Sequence, residues 1–176
     1  MRLKTALAAP AGLLLAAAAA LAATVGAPAR PNFSGTWELD QTRSHSIPPD
    51  VRQTMTVAHD GDKVAVELKV VSPQGERVIK EAYTLDGRET EFAPPPPPNA
   101  PKDAPAPKGK RTARWMANDK GFIVEDEIAQ TTPRGPETVL VARKWMQWPD
   151  GTFSIETITE RGGNAFNNKR IFVRKS

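Results

Sequence analysis

The sequence predicts an all-β protein, a single up-and-down antiparallel β-barrel of about 8–10 strands. Three observations carry that reading. Turn chemistry recurs at short intervals, in HDGD (59–62), SPQG (72–75), LDGR (85–88), NDKG (118–121), TPRG (132–135), PDGT (149–152) and RGGN (161–164), and several of these are Asp-Gly hairpin signals. The runs between them are too short for helices with apolar residues three and four apart. Within the runs, apolar and polar residues alternate, as they do on strands with one buried face.

The chain opens on Met1-Arg2-Leu3-Lys4, a positive start, followed by TALAAPAGLLLAAAAALAA (5–23), an apolar stretch that runs into small residues. That order predicts a cleavable signal peptide and a secreted or periplasmic product. Residues 1–29 are therefore set aside as leader and lead-in, and the barrel is sought in 30–176. The alternative is a retained anchor, since roughly 18 apolar residues are long enough to span a bilayer. Without a cysteine anywhere, the fold has no disulfide framework and no thiol for a lipid anchor. Its stability must come from burial.

NFSGTWELD (32–40) supplies the first strand, with Phe33, Gly35, Trp37 and Leu39 on one face. A glycine in such a row lets the strand bend sharply or lets a neighbouring group approach closely. QTRSHSIPPD (41–50) is a long connection placed to fold over an open end. Met55 and Val57 mark the next strand, and Val64, Val66, Leu68 and Val70 the clearest one, with Lys63, Ala65, Glu67 and Lys69 on its other face. Those charges also exclude a transmembrane barrel, whose outer row would be continuously apolar.

Ile79, Tyr83 and Leu85 follow, then the short piece RETEF (88–92). APPPPPNAPKDAPAPKGK (93–110) interrupts the pattern, because a proline run of this kind is extended and cannot sit inside a sheet. It loops out, either as a stiff surface segment or as a ligand for an aromatic groove on a protein partner. The strands resume at Ala113–Trp115, at Phe122, Val124 and Ile128, at Val139, Val141 and Trp145, at Phe153 and Ile155, and at Ile171–Val173. Only two connections are long, which favours sequential hairpins over a Greek-key sandwich. Closure then pairs the last strand, KRIFVRK, with the first.

Charge excludes a class of partner. Removing Arg2 and Lys4 with the leader leaves 22 basic residues against 20 acidic ones, too small an excess to hold nucleic acid. No catalytic signature is present, so the chain is expected not to be an enzyme. The two histidines, His45 in the first long connection and His59 at a hairpin tip, read as exposed and chemically idle, and no metal or cofactor is expected.

Polar residues on the apolar rows are more informative. If Ile79, Tyr83 and Leu85 point inward, so does Glu81; by the same rule Asp126 lies inside with Val124 and Ile128, and Arg143 with Val141 and Trp145. Buried charges need partners, so these three form an internal ion pair, orient a polar ligand head, or perform acid/base chemistry. Trp37, Tyr83, Trp115, Phe122, Trp145 and Phe153 fall on the same inward rows, while Trp148 sits at a rim. Such side chains either fill the barrel or line a pocket. The candidate ligand-binding set is therefore Trp37, Glu81, Tyr83, Trp115, Phe122, Asp126, Arg143, Trp145 and Phe153.

Phe33-Ser34-Gly35-Thr36-Trp37 resembles the G-x-W signature that opens the first strand of lipocalins and other calycins. It is similar in particular to secreted bacterial lipocalin-like proteins beginning FSGTW. The resemblance implies that Trp37 packs across the barrel floor with an arginine from near the last strand, Arg170 or Arg174, laid over its ring. Gly35, Trp37, Arg170 and Arg174 are thus the candidate closure residues. The chain departs from larger lipocalins in lacking their second signature, any cysteine and a helix after the last strand. The resemblance therefore implies a barrel with an apolar cup for a small apolar or amphipathic ligand, and names no particular ligand.

Overall fold

In the computed structural model, which describes residues 30–96, 100–101 and 103–175, the chain folds into ten strands with no helix among those residues. The leader expected over 1–29 lies outside them. The strands are β1 (Gly35–Leu39), β2 (Arg52–Asp60), β3 (Lys63–Ser72), β4 (Gly75–Thr84) and β5 (Asp86–Phe92). They continue as β6 (Lys108–Trp115), β7 (Gly121–Thr132), β8 (Gly135–Gln147), β9 (Phe153–Arg161) and β10 (Asn164–Arg174). All are in one antiparallel sheet of order β4-β3-β2-β1-β10-β9-β8-β7-β6-β5, so the expected up-and-down barrel of 8–10 strands is what forms.

The seam joins the two ends of the chain. Trp37 pairs with Arg174, Glu38 with Val173 and Leu39 with Phe172. Flanking amide bonds lengthen this short ladder, Asp40 N–H donating to the Ile171 carbonyl at 2.8 Å and Lys175 N–H to the Thr36 carbonyl at 2.9 Å.

The ring is open at one place, between β4 and β5, which end the sheet on either side. LDGR was expected to make a hairpin there, and it does not. Leu85 is 4% exposed, packs into the core, and donates its N–H to the Asp62 carbonyl at 2.7 Å. Burial of that side chain outweighs the turn preference of the Asp-Gly that follows, so the chain bends through Leu85 into β5, which pairs with β6 and not with β4. The proline-rich run is also shorter than read from composition, because Lys108–Lys110 already belong to β6.

Alternating hairpins divide the connections between two ends. The N-terminal segment and the links 61–62, 116–120 and 148–152 lie at one end. The links 73–74, 133–134 and 162–163 lie at the other, with the long connections 40–51 and 93–107. The first end is filled with aromatic rings. Phe153 lies edge-on to Trp37 at 4.7 Å between ring centres and stacks on Trp145 at 5.4 Å and Phe172 at 5.1 Å. Phe33 meets Phe122 edge to face at 5.2 Å. Each such pair contributes about 0.5–1.5 kcal/mol beyond its buried area. The far end is open, with Phe166 62% exposed on the inward row of β10.

Candidate functional site

Three layers stand one above another inside the barrel. The floor begins at Trp37, buried at 1% exposure, whose indole N–H donates to the Phe33 carbonyl at 2.9 Å. The Arg174 guanidinium lies 4.7 Å from the Trp37 ring centre and donates to the Ser34 carbonyl at 3.2 Å. Gly35 makes that approach possible: at φ +137° it holds a conformation side chains rarely adopt, and a Cβ there would stand 2.9 Å from Arg174 Nη1. Of the two arginines proposed for this position, Arg174 occupies it. Arg170 lies elsewhere, in the third layer.

His59 belongs to the floor, contrary to its expected place on an exposed tip. It stands two residues beyond Val57 on the inward row of β2, and alternation turns its ring inward, where it is 9% exposed. Nδ1 accepts the Phe33 N–H at 3.2 Å and Nε2 bonds to the Gly61 carbonyl at 3.0 Å, an arrangement that requires the neutral Nε2–H tautomer. Burial holds its pKa below the ordinary value. Trp115 stacks on it at 5.6 Å and donates to Asp62 at 2.8 Å. His45 is exposed, as expected.

The middle layer is an ion-pair network. Arg111 reaches Asp126 through two bonds, Nε at 2.6 Å and Nη2 at 2.9 Å, and Glu81 at 3.0 Å. Arg143 donates to Asp126 at 2.7 Å, and the Tyr83 hydroxyl donates to Glu81 at 2.6 Å. Burial opposes the charge on Arg111, but bonding to Asp126 and the fields of Asp126 and Glu81 more than offset it, raising its pKa. Burial likewise pushes the Tyr83 phenol above its ordinary value. Two arginines and two carboxylates balance here, and because Glu81 is on β4 and Arg111 on β6, the network spans the gap in the ring.

The third layer is the mouth, where a cavity of about 450 Å³ is bordered by Ile47, Pro48, Gln53, Val70, Arg77 and Arg170. The register places Gln53, Val70 and Arg77 in one row across β2, β3 and β4. The first long connection supplies one wall: Ser44 Oγ accepts the Ile171 N–H at 3.0 Å, and His45 bridges to Lys169, which holds Ile47 and Pro48 at the rim. Gln53 Oε1 and Arg170 Nε are buried without a hydrogen-bond partner among the described residues. The same holds for Asn168 Oδ1, Thr157 Oγ1 and Arg143 Nε, three positions that pair in one row across β10, β9 and β8.

A second cavity, about 790 Å³, opens at the gap between β4 and β5. It is bordered by Tyr83, Arg88, Thr90 and Arg111 and by the exposed alanines Ala58, Ala65 and Ala82, which form a cross-strand row on the outer face. None of the unpartnered polar atoms borders it. Among the described residues, no group of three His, Asp or Glu could hold a metal ion.

The structure thus distributes the nine candidate ligand residues over two layers. Trp37, Phe122, Trp145 and Phe153 are packed on one another in the floor, each at 2% exposure or less, with Trp115 beside them. Glu81, Tyr83, Asp126 and Arg143 meet in the network. Arg111, the centre of that network, was missed in the sequence, although it stands two residues before Ala113 on an inward row. Gln53, Arg77, Thr157 and Asn168 were missed too. Parity alone points them inward, two residues from Met55, Ile79, Ile155 and Arg170 respectively.

Comparison with known proteins adds likeness of shape only. The sequence matches no family model and no curated protein. The fold is similar to that of zebrafish ileal bile acid-binding protein complexed with cholic acid, at 11% identity over 81% of this chain and 98% of that one, with a TM-score of 0.46. It is also similar to secretory abundant heat soluble protein 4 from Ramazzottius varieornatus, at 14% identity over 81% and 94% of the two chains, with a TM-score of 0.41.

Proposed function

We propose that the chain is an exported, lipocalin-like binding protein that takes a small amphipathic molecule into the mouth of its barrel. The mouth cavity carries this reading. Its volume of about 450 Å³ falls within the range of small-molecule sites, roughly 300–1,000 Å³. Its wall combines Ile47, Pro48 and Val70 with polar side chains that the protein itself leaves unsatisfied, the mixture an amphipathic ligand requires. The reading involves no catalysis and gives Glu81 and Asp126 the role of ion-pair partners to the arginines.

The FSGTW opening and the apolar leader support export to the periplasm or the medium, which N-terminal sequencing of the protein from each cell fraction tests. Binding is tested by titrating the chain from Arg30 onward with the amphiphilic dye 1-anilinonaphthalene-8-sulfonate. Saturable enhancement with one site per chain, unchanged when the proline-rich loop is shortened, supports the mouth as the site. Loss of the signal on shortening the loop would instead favour the second reading, a partner-docking role for residues 93–107.

A further inference from the structure

The charges of the mouth do not balance. Toward the open end, Glu76 pairs with Lys69 on the outer face at 2.9 Å, and Glu137 pairs with Arg161 at 2.9 Å. Glu81 and Asp126 are taken by Arg111 and Arg143. Of the three charged residues bordering the cavity, Glu76, Arg77 and Arg170, the two arginines make no ion pair among the described residues. Burial first, and then the fields of Arg77 and Arg143, hold the Arg170 guanidinium below its ordinary pKa. A half-buried arginine facing two like charges opposes folding, which is unusual unless something else uses the charge.

Hydrogen bonding points the same way. Arg170 Nε is a buried donor with no partner, and the neighbouring Gln53, 8% exposed, has a buried amide oxygen with none. Buried groups of this kind are ordinarily satisfied. Thr157, also 8% exposed, adds an unpartnered hydroxyl one row nearer the open end on β9. The guanidinium fork matches a planar carboxylate through two parallel N–H···O bonds, and the apolar residues beside it accommodate a tail.

We infer that the ligand of the mouth carries an anionic head group, a carboxylate above all, which Arg170 receives with Arg77 beside it while the apolar part lies along Val70, Ile47 and Pro48. This rests on the binding role proposed above and names the class of molecule bound. Arg170 is then kept for the ligand and not for the fold.

The test compares dodecanoate with dodecanol, which share a tail and differ in the head, by calorimetric titration of the chain from Arg30 onward. Dodecanoate should bind at least tenfold more tightly than dodecanol. Arg170→Gln should abolish that preference while leaving dodecanol affinity within about twofold, and Arg170→Lys should restore part of it. Arg170→Gln should also melt no lower than the parent, which a merely structural arginine would not permit. Should that variant fail to fold, Arg77→Gln at the exposed rim makes the same comparison, with a smaller loss of dodecanoate affinity expected. Equal binding of the two probes, or dodecanoate affinity untouched in both variants, would overturn the anionic head group and leave an apolar-ligand site standing. Binding of neither probe would overturn the binding role itself, and this inference with it.

Discussion

Gly35 shows how one missing side chain sets the floor. Its φ of +137° and the 2.9 Å spacing between an added Cβ and Arg174 Nη1 act together, so Gly35→Ala should cost about 1–3 kcal/mol, read from urea unfolding. A loss below a few tenths would mean that the close approach of Arg174 to Trp37 contributes little. His59 gives a pH signature. Burial lowers its pKa in the folded chain, so the unfolded chain takes up the proton first as pH falls below the ordinary value of 6.5. Its stabilising contribution is complete above 6.5 and is lost as pH falls through the folded-state value. Melting temperature should therefore decline between pH 7.5 and 5, and His59→Gln should flatten that part of the profile. Parity was enough to place this residue inside, and the hairpin signal beside it pointed the wrong way, because turn chemistry reports where a chain reverses and not which face a side chain takes.

At the scale of elements, the network joins strands that the ladder leaves apart. Asp126, with its side chain 2% exposed, accepts from both Arg111 and Arg143, so Asp126→Asn leaves two buried cations short of a counter-ion. It should cost about 3–5 kcal/mol by chemical denaturation, whereas Glu81→Gln, at 26% exposure, should cost less. A small effect at Asp126 would show that the arginines reach water. The inward placement of Glu81, Asp126 and Arg143 was legible from the period-two pattern. Their common partner was not, since Arg111 follows a proline run with too few residues before Ala113 to establish a period. LDGR misled for a related reason: Leu85 sits inside the signal, and a long-range contact with the β2–β3 turn decided the conformation.

For the whole molecule, the hairpin rhythm and the pairing of β1 with β10 were readable, but the opening between β4 and β5 was not, because nothing local marks where a ring of strands fails to close. The sequence left the aromatic rows as either filling or pocket lining, and Trp37, Phe122, Trp145 and Phe153 are packed on one another. Large rings inside a narrow barrel fill space, and the polar inward rows at the open end border the mouth cavity. Replacing 96–105 by a short Gly-Ser link, with the buried Pro94 and Pro107 kept, should change stability by no more than about 0.5 kcal/mol in thermal unfolding. A larger loss would mean that the loop supports β5 and β6.

The binding role is tested most directly by following backbone and side-chain NMR shifts while dodecanoate is added. Saturable changes are expected at Gln53, Val70, Arg77 and Arg170, which border the mouth, with Trp37, Phe122 and Trp145 unmoved. Changes confined to the outer alanine row of Ala58, Ala65 and Ala82 or to the proline-rich loop, or no saturable change anywhere, would contradict it.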